Sequence, residues 1–235
     1  MIIFSRKKRK SRPGATLLHR SVLLALLLSA CTYVPNESKS GTFGKGNFSY
    51  VCINSQDPSC PDSSGFEQPF PTAIAFGGRF SVTYTPTDPT AYPNVDIEPV
   101  STDFIESDGA TFAALRTGTP SFVALTQDGL VLDFTSVGVD PIAAIQVSDT
   151  TPALGRYIVG TTHTYGATAR GALGQTLAGD VPYSWTSSDP SVASVQTGDS
   201  STADVLLQHG GTATLTAFTS TAQGSIVVNV ESAAP

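Results

Sequence analysis

Beyond its first thirty residues the chain nowhere sustains an apolar period of 3.6 over ten residues. Amphipathic helices are therefore not its building blocks. Short runs rich in Val, Thr, Ile, Phe and Tyr alternate apolar with polar instead, cut by Gly, Pro, Asp and Asn. In "ATLTAF", Ala213, Leu215 and Ala217 fall on one side and Thr214 and Thr216 on the other. In "IVVNV", Ile226, Val228 and Val230 share a side. Strands this short and this often interrupted predict an all-β chain of sandwiches, each sheet burying one face.

The pattern occurs twice. Gly118–Thr126, "GTPSFVALT", matches Gly211–Thr219, "GTATLTAFT", at four of nine positions with an offset of 93. Ser101-Thr102-Asp103 stands before the first copy as Ser187-Ser188-Asp189 stands before the second. Downstream, "GLVLDFTSVGV" from Gly129 corresponds to "GSIVVNV" from Gly224. Two modules of ordinary domain size result. Asp140-Pro141 breaks one strand run before the next begins, which places the modules at 66–140 and 141–231.

The second copy carries a Gly before its second strand (Gly160), then "WTSSDPSVA" from Trp185 to Ala193. "GTATLTA" from Gly211 to Ala217 and the closing Val-rich strand Ile226–Val230 complete the set. These linked motifs, over about 90 residues, resemble the bacterial Ig-like group 2 family. The resemblance implies two tandem Ig-like β-sandwiches, with Trp185, Ser187, Ser188, Pro190, Val192, Ala193, Gly211 and Ala217 as fold signature. Trp185 is expected in the core, since an indole on an inward strand position buries a large apolar area. Ser187, Ser188 and Pro190 are expected to make the turn that follows. The first copy is a divergent relative, with Pro99 aligned to the Trp and "STDFIESD" in place of "SSDPSVAS".

The N-terminus addresses the chain outward. "RKKRKSR" from Arg6 to Arg12 is followed by the apolar run Ser21–Ala30. That run is far shorter than the ~20 residues that span a bilayer, so residues 1–30 read as a secretory signal. Leu28-Ser29-Ala30-Cys31 resembles the lipobox of bacterial lipoproteins, which implies cleavage before Cys31 and acylation of that residue. An ordinary signal peptide that happens to meet a Cys is the alternative. Thr32, not Asp, follows the Cys, so the expected location is the cell envelope, at the outer membrane in a Gram-negative host. Seven of the 13 Lys and Arg residues fall within 1–30, and no Asp or Glu does. Processing leaves six basic residues against 19 acidic, a net of −13. That balance argues against nucleic acid and against electrostatic docking on anionic lipid. Attachment rests on acyl chains, more than one being needed for stable anchoring.

Residues 31–47 are rich in Ser, Gly, Asn and Lys and read as a flexible tether. In 48–65, Phe48, Tyr50 and Cys52 share one side of a short strand that enters the loop "INSQDPS" and packs on the module after it. Cys52 and Cys60 flank this loop, and an exported chain closes them into a disulfide. Two thiolates with no nearby His make a poor zinc site.

No metalloprotease His-Glu-x-x-His run, Gly-x-Ser-x-Gly elbow or phosphate-binding loop occurs. His163 is expected on a strand surface and His209 in a turn; a triad assembled from dispersed Ser, His and Asp stays open. "IESDGAT" from Ile105 partly echoes a calcium loop, but Leu115 stands where the twelfth-position Glu belongs, so it reads as a solvated turn. No catalytic residue, metal or cofactor is expected. The expected function is non-enzymatic: tandem modules serving as spacer, adhesion or protein-interaction units for an envelope partner. Glycan binding is the alternative, with Tyr157, Tyr165 and Tyr183 as the candidate aromatic row. Within the second module, Arg170–Asp180, "RGALGQTLAGD", is a candidate recognition loop, or else a loose connector.

Overall fold

The computed structural model describes residues 38–53, 57–60, 67–68, 70–151, 157–197 and 200–232. The expected signal 1–30 and the expected lipidation site Cys31 lie outside the described residues. Every regular element among the described residues is a strand. The first part of the chain forms β1 (Ser38–Ser40), β2 (Gly46–Val51), β3 (Glu67–Gln68), β4 (Ala73–Ala75), β5 (Arg79–Pro86) and β6 (Val95–Pro99). β7 (Ile105–Asp108), β8 (Thr111–Ala114), β9 (Ser121–Thr126), β10 (Val131–Ser136) and β11 (Gly138–Asp140) follow. The second part forms β12 (Ala144–Asp149), β13 (Thr162–Arg170), β14 (Ser184–Ser187), β15 (Ala193–Val195), β16 (Thr202–Leu207), β17 (Gly211–Phe218) and β18 (Gln223–Val230).

These strands make two sandwiches with the same strand order. In the second, β12-β13-β16-β15 faces β14-β17-β18. In the first, β2-β5-β8-β7 faces β6-β9-β10, with β1 and β3 both added on β2. Alternation accounts for the burial. Along β17 the buried residues are Ala213, Leu215 and Ala217, and along β13 they are His163, Tyr165, Ala167 and Ala169. The first core is built on aromatic rings: Phe112 and Phe122 meet at 4.8 Å, and Phe80 stands edge-on to Phe122 at 6.0 Å. Two glycines recur at positions whose positive φ L residues rarely adopt. Gly77 (φ +81°) and Gly160 (φ +87°) open β5 and β13, each donating its N–H to the last carbonyl of the neighbouring strand, at Ala114 and Leu207.

The strand order corrects two sequence expectations. The tether read as far as residue 47 is, from Ser38, part of the first sandwich. β1 pairs β2, and the turn between them is fastened to Asp133. The 48–65 segment is likewise no appendage: β2 takes the place in the first sandwich that β12 takes in the second, pairing β5 along its whole length. Phe48 and Tyr50 are fully buried there. The disulfide Cys52–Cys60 closes the loop after it, with a Cα separation of 5.8 Å.

The two sandwiches also share a seam. β4 pairs β11 in parallel and lies against the segment 178–180 of the second sandwich. Ala75 N–H donates to Ala178 O (2.8 Å), and Ala178 N–H to Ala73 O (3.0 Å). Arg79 and Asp180 exchange both backbone bonds, at 2.9 and 2.7 Å. The side chains interlock: Ala73 and Ala75 belong to the second core, while Ala178 belongs to the first. Gly179 (φ +103°) meets the backbone of Gly78, where a Cβ would stand 3.3 Å from the Gly78 Cα. The stretch Arg170–Asp180 is therefore neither a loose connector nor a free recognition loop. It buries Leu177 and Ala178 completely or nearly so and fastens one sandwich to the other.

Candidate interaction surface

The two sandwiches differ at one place that matters for binding. With Gly77 matched to Gly160, the register puts Phe80, Val82 and Tyr84 of β5 where His163, Tyr165 and Ala167 of β13 stand. In the second sandwich, β16 pairs β13 from Thr162 to Gly166, and Ala167 N–H then donates to Ser201 O at 2.7 Å. In the first, β8 pairs β5 only at Arg79 and Phe80. The cause is hairpin length. Ala193 pairs Leu207 across fourteen residues of chain, and Ile105 pairs Ala114 across nine. The shorter β7–β8 hairpin turns back before it can cover Ser81–Tyr84.

A second difference enlarges the gap. Trp185 pairs Ala217, and in the register that matches Gly211 to Gly118 the residue opposite Ala124 is Ile97. Ile97, not Pro99, thus holds the place of the Trp; Pro99 lies opposite Phe122 and corresponds to Ser187. In the second sandwich the Trp185 indole is 8% exposed, and its Nε1–H donates to Ser200 O at 3.0 Å, within the long hairpin. The first sandwich has a smaller side chain and no such hairpin. A cleft of about 530 Å³ results, lined by Ser81–Tyr84 of β5, Val95–Glu98 of β6, and Ser107, Gly109, Ala110 and Phe112. Its floor is apolar through Val82 and Phe112, both buried, and Asp96 and Glu98 are exposed on its β6 side. Among the described residues β6 is the edge strand of its sheet, paired to β9 alone.

The other singled-out residues do structural work. Ser188 exchanges bonds with Thr214, its N–H donating to Thr214 O and its Oγ accepting from Thr214 N–H, both 2.9 Å. Asp189 accepts from the N–H and hydroxyl of Ser191, and that hydroxyl above all holds its carboxyl below the usual range. Ser187 Oγ accepts from Asp189 N–H at 3.3 Å, and Pro190 is exposed in this turn. Val192 and Ala193 are buried, and Gly211 (φ +152°) leaves no slack for a side chain against Val192.

His163 departs from its expected surface place. It is buried, with Nδ1 3.0 Å from Asp149 Oδ2, and its ring lies 5.0 Å from that of Tyr157. Asp149 also accepts from Thr151 N–H, so the pair ties β12 to β13. His209 is exposed beside Ser191 O. Tyr165 and Tyr183 are core residues and Tyr157 is half-buried, so the aromatic row needed by a glycan platform does not form. "IESDGAT" is the β7–β8 hairpin, and Asp108 there pairs with Arg79 on the surface at 3.2 Å. Among the described residues no cluster of three His, Cys, Asp or Glu could hold a metal ion.

Two buried carboxylates escaped the sequence reading. Asp57 accepts from the Tyr50 hydroxyl and, at 2.8 Å, from Ser59 N–H; burial above all pushes its carboxyl upward. Asp133 is fully buried and accepts from the N–H groups of Phe43 and Lys45, both at 2.8 Å.

No family model and no curated protein matches the sequence. Among solved structures, domains 4 and 5 of the S-layer protein SbsC are similar at 16% identity over 77% of this chain and 94% of theirs, with a TM-score of 0.31. The Yersinia pseudotuberculosis adhesin InvE is similar at 17% identity over 68% of this chain and 56% of that one, with a TM-score of 0.34. A C-terminal fragment of intimin, solved with the intimin-binding domain of the translocated intimin receptor, gives 15% identity over 64% and 57%, with a TM-score of 0.28. At such TM-scores these likenesses carry no argument; the fold stands on its own strand order.

Proposed function

We propose that the chain is a non-enzymatic, lipid-anchored protein of the cell envelope whose two sandwiches form one protein-interaction body. The seam is the observation that supports this most. Two modules that exchange core residues and backbone bonds hold their edges and loops in fixed relation, as a scaffold for recognition requires. The lipobox at Cys31, the acidic balance of the mature chain and the disulfide Cys52–Cys60 fit a protein exported and held at a membrane surface. Thr32 favours the outer membrane in a Gram-negative host. The second sandwich is assigned here to the bacterial Ig-like group 2 pattern on its Trp185–Ala193 and Gly211–Ala217 motifs.

Fractionation and crosslinking test this reading. The native chain should stay with membranes through a salt wash, and Cys31→Ala should release it. Short-range crosslinking on intact cells should then recover one envelope protein at defined sites on the sandwiches. A Cys31→Ala chain that remains membrane-bound refutes the anchor. Crosslinks that are absent, or scattered over many proteins at random sites, refute the interaction role.

A further inference from the structure

We infer that the cleft between β5 and β6 is an acceptor slot for one extended strand of a protein partner, with basic residues flanking a large apolar side chain. The inference rests on the interaction role proposed above and names its site.

The second sandwich shows the same space filled. There the return of the long hairpin continues the ladder along β13 as far as Ala167, and Trp185 occupies the gap between the sheets. In the first sandwich both fillers are missing at once. On the side facing β8, β5 lacks a ladder partner beyond Phe80, Ile97 replaces the indole, and the space left is about 530 Å³. Backbone N–H and C=O groups along an open strand edge are obligatory hydrogen-bonding groups, and an added strand satisfies them without dependence on sequence. An extended segment running on from β8 along β5 has the geometry for this. Its inward side chain would reach the level of Ile97, where Val82 and Phe112 form an apolar floor.

Charge selects the occupant. Asp96 and Glu98 line the β6 side of the cleft and are exposed, and among the described residues no Lys, Arg or His lines it. A strand with Lys or Arg on either side of its anchor complements this rim, and an acidic strand is repelled. The same acidic rim disfavours a second copy of this chain, whose mature form is strongly negative. Exposed carboxylates at an open edge also guard against indiscriminate pairing.

The probe is the synthetic peptide Lys-Thr-Val-Trp-Val-Thr-Lys, titrated into the full chain in detergent and followed by backbone amide shifts and hydrogen exchange. The expected result is saturable binding that protects Val82 and Tyr84 and shifts Val95–Glu98. A peptide with Glu in place of Lys should bind at least about tenfold more weakly, as should the same Lys peptide on the Asp96→Lys, Glu98→Lys chain. Both substitutions lie on exposed positions, so the fold is retained. A second variant fills the slot from within: Ile97→Trp, with Gly109-Ala110 replaced by the six-residue sequence at positions 196–201 of the second sandwich. It should abolish binding. Undiminished binding to either variant, or binding without protection of Val82 and Tyr84, overturns the inference. So does concentration-dependent dimerisation through β5, which would make a second copy the occupant. If the slot fails these tests while crosslinking still recovers one envelope protein at defined sites, the interaction role stands and the contact lies elsewhere. If crosslinking fails as well, both readings fall.

Discussion

Trp185→Ala measures how firmly the two sandwiches act as one. The indole is 92% buried, so the substitution removes about 200 Å² of buried surface, worth about 5 kcal/mol at ~25 cal/mol per Å². A compact unfolded chain already hides part of that area, which reduces the figure to about 3–4 kcal/mol. Ser200 O loses its Nε1–H donor, adding about 1 kcal/mol. The sum, about 4–5 kcal/mol, lies within the range of large-to-small aromatic substitutions in cores. For a body of this size it lowers the midpoint by about 10–15 °C. Because Ala73 and Ala75 pack in the second core and Ala178 in the first, the loss should not stay local. Calorimetry of the Trp185→Ala chain should show one transition, shifted whole. In the parent chain the emission of Trp185, its only Trp, should report the same midpoint as calorimetry. Two transitions, one unmoved by the substitution, would refute the coupling through the seam. A midpoint shift under about 3 °C would refute the burial.

Three further outcomes follow. Asp133→Ala leaves the Phe43 and Lys45 amides without their acceptor and should cost about 2–4 kcal/mol in denaturant melts, with faster exchange at those two amides. Burial raises the Asp57 carboxyl, so the folded chain holds that proton more tightly than the unfolded chain does; its contribution is present below about pH 4 and is lost as pH rises through the folded value. Asp57→Asn should therefore flatten the fall in denaturation midpoint above pH 4; an unchanged slope contradicts the assignment. Asp189, whose carboxyl is lowered, contributes only to losses on acidification below that window. Replacing Arg170–Asp180 by a two-residue turn should remove the cooperative transition, since Leu177 and Ala178 leave both cores; a folded, single-transition variant would show that the seam is dispensable.

Much of the fold was legible because alternation is local. The period of two along Ala213–Phe218 and the repeat between Gly118 and Gly211 needed no tertiary information. What failed was register between the modules. A hairpin shorter by five residues and a different connection after β5 displaced the alignment, so Pro99 was matched to Trp185 where the strand pairing matches Ile97. Asp133 was invisible for a related reason. The ladder shifts between Val131 and Asp133, and this bulge turns inward a residue that simple alternation next to buried Leu132 would place outside. The seam joins residues about a hundred positions apart with no shared motif, so a Gly-rich stretch looked like a free loop. The slot is a difference between two copies of one pattern. Reading it required the correct register first.

The first sandwich leaves an edge of β5 unfilled at the place the second fills for itself. Amide hydrogen exchange on the unliganded full chain tests this directly at paired positions. Val82 and Tyr84 should exchange about a hundredfold or more faster than their register mates Tyr165 and Ala167, because only the latter lie under a continued ladder. Equal protection at the two pairs would mean that β5 is covered, and the slot with its partner strand would have no place to exist.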